Sequence, residues 1–122
     1  MTATARQRES FGAYGETVAA RHLVDQGMVV LDRNWRCDVG EIDLVLRDGA
    51  VLVVCEVKTR RTAEFGSPLE AVTGTKAARL HLLAARWMEH RGIGPREVRI
   101  DLVGVLQPGS GAARVDHVRG LA

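Results

Sequence analysis

Aromatic side chains are scarce, with two Trp, two Phe and one Tyr making up 4 % of the 122 residues. Extensive stacking of successive bases on an aromatic platform, the usual device of nonspecific single-strand binders, is therefore not expected. Cysteine is nearly absent too. Cys37 and Cys55 lie in no C-x-x-C pattern and have no metal-like spacing to each other, which argues against a zinc site or a disulfide framework. Cys55 falls on an apolar strand face and reads as a small buried hydrophobe. His22, His81, His90 and His117 are scattered and read as surface or satisfied histidines. No apolar run approaches a membrane span and the N-terminus lacks the apolar core of a signal peptide, so a cytoplasmic protein without membrane contact is expected. Nor does one sign of charge dominate: the formal net charge is +2, too small to announce a nucleic-acid binder.

What is present is an ordinary globular composition, 46 % hydrophobic and 26 % charged, at a length that suits one domain with one core. Residues 1–9 are polar and unpatterned and read as a flexible N-terminus, leaving a single domain over 10–122. Ser10 suits an N-cap, and Tyr14, Val18, Ala19, His22 and Leu23 recur at helical spacing until Gly27. Met28 to Trp35 reads as a strand, residues 34–38 as an exposed turn, and 41–58 as two strands around Asp48-Gly49. Residues 59–73 form the longest irregular stretch, with Gly66, Ser67 and Pro68, and are the expected meeting place with substrate. A second helix runs from about Thr75 to Arg91, with Ala78, Leu82, Ala85 and Met88 as its apolar stripe and Leu83 and Trp87 beside it. Strands follow at Val98–Leu106 and 114–119, giving the order αβββαββ. Asp101, a lone acid in an apolar strand, is assigned to structure, with Arg99 as one available partner.

The hairpin carries the chemistry. Side chains two apart share a strand face, so Val51, Val53, Cys55 and Val57 form one apolar face and Leu52, Val54, Glu56 and Lys58 the other. On the first strand Ile42, Leu44 and Leu46 face the core, and Glu41, Asp43, Val45 and Arg47 face away. A two-residue Asp48-Gly49 loop sets Asp43 diagonal to Glu56, a four-residue loop sets them opposite, and only an odd loop or bulge parts them. Taken alone, such a face is usually the solvated side of a hairpin. The continuous apolar run 51–55, however, marks a central strand, where charges need a reason. Two carboxylates brought together repel unless a cation intervenes. Hard oxygen ligands of this kind suit Mg2+ or Mn2+, and Lys58 would then orient an attacking water and stabilise charge developing at phosphorus. Glu16 reads equally as a charge favoured in the first turns of a helix and as a third acid over the sheet. Lys58, Arg60 and Arg61 at the strand end, with Lys76, Arg79, Arg86 and Arg91 on the second helix, are basic residues that become phosphate contacts if they surround a metal site. Of these, Arg60, Arg61, Lys76 and Arg79 are the candidate nucleic-acid-binding residues.

Several segments together, Tyr14-Gly15-Glu16 with Ala19 and Ala20, Asn34-Trp35-Arg36, Gly40-Glu41-Ile42-Asp43-Leu44-Val45, Glu56-Val57-Lys58-Thr59-Arg60, Val72 with Lys76, and Arg99-Ile100-Asp101-Leu102-Val103, resemble the YraN family of predicted endonucleases. That family is similar to archaeal Holliday-junction resolvases within the PD-(D/E)XK superfamily, and the resemblance covers roughly residues 10–106. It implies an α/β restriction-endonuclease-like core, a mixed central sheet of about five strands flanked by helices. It further implies Asp43, Glu56, the Val57 carbonyl and Glu16 as metal ligands, Lys58 as the catalytic lysine, Mg2+ or Mn2+ as cofactor, DNA, branched above all, as substrate, and a homodimer, because a four-way junction must be cut symmetrically. Cys55 stands where Val or Phe is more typical and Ile100 where Phe is usual; neither removes a proposed catalytic group. The leading expectation is therefore a metal-dependent, structure-selective endodeoxyribonuclease. Its rivals are a noncatalytic nucleic-acid-binding module and a protein-interaction subunit of a DNA-processing complex.

Overall fold

The computed structural model describes residues 4–61, 74–94 and 96–121. Seven elements follow one another: α1 (Ala5–Asp25), β1 (Val29–Cys37), β2 (Gly40–Asp48), β3 (Val51–Arg60), α2 (Gly74–Arg91), β4 (Val98–Leu106) and β5 (Arg114–Val118). The strands form one five-stranded sheet in the order β1-β2-β3-β4-β5. All neighbours are antiparallel except β3 and β4, which are parallel and have α2 in the connection that such a pair requires. The strand order is that of a restriction-endonuclease-like core.

Both faces of the sheet are covered. Ala19, Ala20 and Leu23 of α1 pack on Leu44, Leu46, Val53, Cys55, Val103 and Val105. On the other face Leu80, Leu83, Ala84 and Trp87 of α2 pack on Ile42, Val45, Leu52, Val54 and Ile100. This explains the unbroken apolar run in β3: the strand is central, and its side chains alternate between two cores rather than between core and water. Each fully buried Leu or Val contributes on the order of 1.5–3 kcal/mol relative to exposure. Val45, expected to face away from the core, is fully buried beneath α2 for the same reason.

Three sequence expectations are corrected. α1 begins at Ala5, not after Ser10, because Thr4 and Gln7 form a capping box: Gln7 N–H donates to Thr4 Oγ1 (3.1 Å) and Thr4 N–H to Gln7 Oε1 (2.8 Å). Residues 5–9 are thus helical. β1 runs on to Cys37, so the turn expected at 34–38 shrinks to Asp38 and Val39. The buried stripe of α2 is Ala77, Leu80, Leu83, Ala84 and Trp87, while Ala78 and Ala85 are exposed and Leu82 is 47 % exposed. Ala and Leu on several sides of this helix left the stripe ambiguous; the Trp87 indole fixes the rotation by donating to Asp32 Oδ2 at 3.0 Å. The irregular stretch expected at 59–73 lies outside the described residues from 62 onward.

One close approach positions the site. α1 crosses β3 at Gly15, where an added Cβ would come within 2.8 Å of Thr59 Cγ2 and 2.9 Å of Thr59 Cβ, and closer still to Thr59 Oγ1. Thr59 is short and branched at Cβ, so it cannot swing clear. Gly15→Ala is expected to lift this part of α1 off the sheet and destabilise the fold by roughly 1–3 kcal/mol, as overpacking does, read as a lowered melting temperature. Relief of that loss by adding Thr59→Gly would identify the contact as its cause; no loss at all would refute the close approach.

Candidate active site

β1 and β2 change face together beside the site. Arg33 pairs with Leu44 and Trp35 with Ile42, and residues two apart on a strand ordinarily share a face. Here Leu44 belongs to the α1-side core and Ile42 to the α2-side core. Likewise Arg33 donates to Thr17 of α1 (3.1 Å), whereas Trp35 packs against the α2-side core. The expectation that Ile42, Leu44 and Leu46 share a face therefore fails. At the crossing on β1 stands Asn34, with φ +52°, among the few residues that tolerate this left-handed region. Opposite it on β2 is Asp43.

The crossing turns Asp43 toward β3. Asp48 pairs with Val51, so the tight turn is Gly49-Ala50 rather than Asp48-Gly49. The paired ladder runs to Leu44 and Cys55, and its register, extended by one residue, sets Asp43 opposite Glu56. There Asp43 Oδ2 accepts the Val57 N–H at 2.8 Å. A strand residue's N–H and C=O leave on the same edge, so the Val57 carbonyl is also directed to the Asp43 side. Burial pushes the Asp43 carboxyl up to about 6, against the Val57 hydrogen bond and with the charges of Glu56, Glu16 and Glu41 adding to it.

Glu56 and Lys58 lie two apart on β3. Lys58 Nζ is 3.6 Å from Glu56 Oε1, and Lys76 Nζ, from the first turn of α2, is closer to the same oxygen at 2.9 Å. Glu16 is half-buried on α1. Burial raises its pKa against a hydrogen bond with Asn34 and the charge of Arg33, with Glu41 adding to the rise. The negative charge of Glu16 also acts on Asp43, so the helix acid belongs to the same electrostatic cluster.

Among the described residues no three His, Cys, Asp or Glu side chains gather closely enough to cage a metal by themselves. The donor set is instead Asp43, a carbonyl directed to the same side, and a second carboxylate already held by lysines. Few protein oxygens with room for water and phosphate are what Mg2+ or Mn2+ accept, and a carboxyl whose pKa is raised by burial and then by neighbouring acids gains from a nearby cation. The residues fit such an ion.

The expected basic rim divides. Lys76 is engaged with Glu56, and Arg79 is exposed on α2. Arg61 lies over the Phe11 ring at 4.4 Å, and the half-buried Arg60 has an Nε without a hydrogen-bond partner among the described residues. Arg86 and Arg91, read as part of the rim, instead bind Asp38 and Asp32, each at 3.0 Å. The structural roles of Asn34 and Gly15, and the pairing of Lys76 with Glu56, were not read from the sequence, although these residues lie in the segments that carry the resemblance. An Asn within a strand pattern was the available signal for the first.

A mixed five-stranded sheet covered by one helix on each face, with Asp43, Glu56 and Lys58 on its two central antiparallel strands, defines an α/β protein of restriction-endonuclease-like architecture. The chain belongs to the uncharacterised protein family UPF0102, whose model matches residues 15–105. It is 62 % identical to a UPF0102 protein of Nocardioides sp., over 98 % of this chain and 97 % of that one. It is also 61 % identical to one from Streptomyces coelicolor (94 % and 90 %) and 48 % identical to one from Acidothermus cellulolyticus (98 % of each). No helix among the described residues is long and apolar enough to cross a membrane.

Proposed function

We propose that this protein is a metal-dependent, structure-selective DNA endonuclease of the PD-(D/E)XK type, related in mechanism to Holliday-junction resolvases and acting as a two-fold pair. The observation that carries this reading is the buried Asp43 carboxyl, fixed by the Val57 N–H beside Glu56 and its two lysines. Asp43, Glu56 and the Val57 carbonyl would hold Mg2+ or Mn2+, with Glu16 charging the site from α1. The bound ion would polarise the phosphodiester and acidify water. Lys58 orients the attacking water and offsets charge building on the phosphoryl oxygens, and Arg60, Arg61 and Arg79 supply sequence-independent phosphate contacts.

One observation favours a rival: Glu56 is already neutralised by two ammonium groups, as suits a noncatalytic nucleic-acid-binding module that needs no ion. Melting curves of wild type and Asp43→Asn separate the two. A carboxyl raised in the folded state stabilises it fully below the ordinary value of 3.8, and that contribution is lost as pH rises through about 6. Asp43→Asn is therefore expected to melt higher than wild type at pH 7.5, by about 1–3 kcal/mol, with the gain gone by pH 4. Mn2+ is expected to raise the wild-type melting temperature and leave Asp43→Asn unmoved. Equal responses of the two proteins to Mn2+, together with no nicking on a panel of branched and linear DNAs, would favour the binding module.

A further inference from the structure

We propose that Lys76 is the resident counter-ion of this site: its ammonium holds the Glu56 carboxylate in the free protein and releases it when a substrate phosphate takes the ammonium, so that cation loading and nucleic-acid binding reinforce each other. The inference deepens the endonuclease reading and rests on it. Its starting point is an inequality of distances. The catalytic-lysine candidate Lys58 is 3.6 Å from Glu56 Oε1, but Lys76 is 2.9 Å from that oxygen, within charge-assisted hydrogen-bond range. Both partners of the shorter contact are well covered, at 18 % and 15 % side-chain exposure.

The two lysines differ in what they can do. Lys58 rides on the same strand as Glu56 and moves with it, whereas Lys76 comes from the other side of the connection, in the opening turn of α2. A cation there opposes the helix dipole, and no acidic residue of that turn offsets it. Glu56 supplies the offset from β3. Lys76 and a divalent ion at Glu56 would compete for one carboxylate oxygen. An arriving phosphodiester offers Lys76 another anion, and Glu56 is then released to the ion. Such coupling is reciprocal: DNA tightens the cation, and the cation tightens DNA, by the same factor.

The test is a calorimetric titration of Mn2+ into the full chain as wild type, Lys76→Met and Lys76→Arg, with and without a phosphorothioate-linked DNA duplex that resists cleavage. Lys76→Met is expected to bind Mn2+ about tenfold to a hundredfold more tightly than wild type without DNA, the ordinary span of coupling between sites. Lys76→Arg, which keeps the charge, should stay near wild type. The duplex should tighten Mn2+ binding in wild type and leave Lys76→Met unchanged. Equal Mn2+ affinity in wild type and Lys76→Met, or an equal effect of the duplex on both, overturns the proposal while leaving the metal site standing. A gain in Lys76→Met that survives added Asp43→Asn also overturns it, because the ion is then bound elsewhere. Absence of Mn2+ binding in every variant ends the endonuclease reading and this inference with it. Should Lys76→Met lose its circular-dichroism signature, Lys76→Gln takes its place with the same expectations.

Discussion

Lys58→Ala is expected to lower manganese-dependent nicking of branched DNA by on the order of a hundred- to a thousandfold, the cost of removing one preorganised group that meets developing charge. The expectation comes from where the lysine stands. It follows Glu56 by two residues on β3, its ammonium lies 3.6 Å from Glu56 Oε1, and its side chain is 35 % exposed, so it is anchored at one end and open to a substrate at the other. It holds none of the proposed ion's oxygens. Mn2+ affinity in the free protein should therefore survive the substitution, and binding of uncleaved DNA should change by no more than the loss of one phosphate contact. Single-turnover cleavage by Lys58→Ala, with binding measured in parallel by fluorescence anisotropy, checks the split. Undiminished cleavage would remove Lys58 from the chemistry, and lost Mn2+ binding would make its role that of holding Glu56.

Asp101→Ala should be strongly destabilising, costing roughly 3–5 kcal/mol because it removes the buried carboxylate that Arg99, His117 and the Gly120 N–H all bind. Asp101 is fully buried in β4. Arg99 donates to it through Nε at 2.9 Å and Nη2 at 3.1 Å, the His117 ring stands 2.8 Å from Oδ2, and Gly120 N–H donates at 3.1 Å. Arg99 also reaches Asp48 at 2.9 Å, tying the start of β4 to the end of β2 across β3. Burial pushes the Asp101 carboxyl up, but these hydrogen bonds outweigh it and hold the group below its ordinary value of 3.8. A depressed carboxylate contributes stability at every pH above that ordinary value and loses it as pH falls through the folded value. Wild type should thus weaken below about pH 4, and Asp101→Ala should lack that part of the acid sensitivity. A denaturant midpoint at pH 7 within error of wild type would contradict the account.

Much of this architecture was legible in the chain. The apolar run 51–55 identified β3 as central, Gly27 marked the end of α1, and the spacing of Glu56 and Lys58 on one strand needed only the period of two. What stayed hidden depends on contacts that periodicity does not encode. The Asp48-Gly49 signal misplaced the turn by one residue because Asp48 is held in the strand, pairing with Val51 and binding Arg99. The face change at Asn34 and Asp43 breaks the alternation on which the reading relied. Arg86 and Arg91 looked like a phosphate rim because nothing local shows that Asp38 and Asp32, far earlier in the chain, take them up.

The parallel pairing of β3 with β4 also bears on how the molecule assembles. Joining these strands requires closing the whole segment that contains α2, whereas β1, β2 and β3 meet across the tight turns at Asp38-Val39 and Gly49-Ala50. Loop-closure entropy rises with the length of chain enclosed. Asp43, Glu56, Val57 and Lys58 can therefore be gathered by contacts near in sequence, while Lys76 arrives only with the long-range step that docks its helix. The β2–β3 part of the candidate site thus rests on pairings closer in sequence than the β3–β4 pairing that encloses α2.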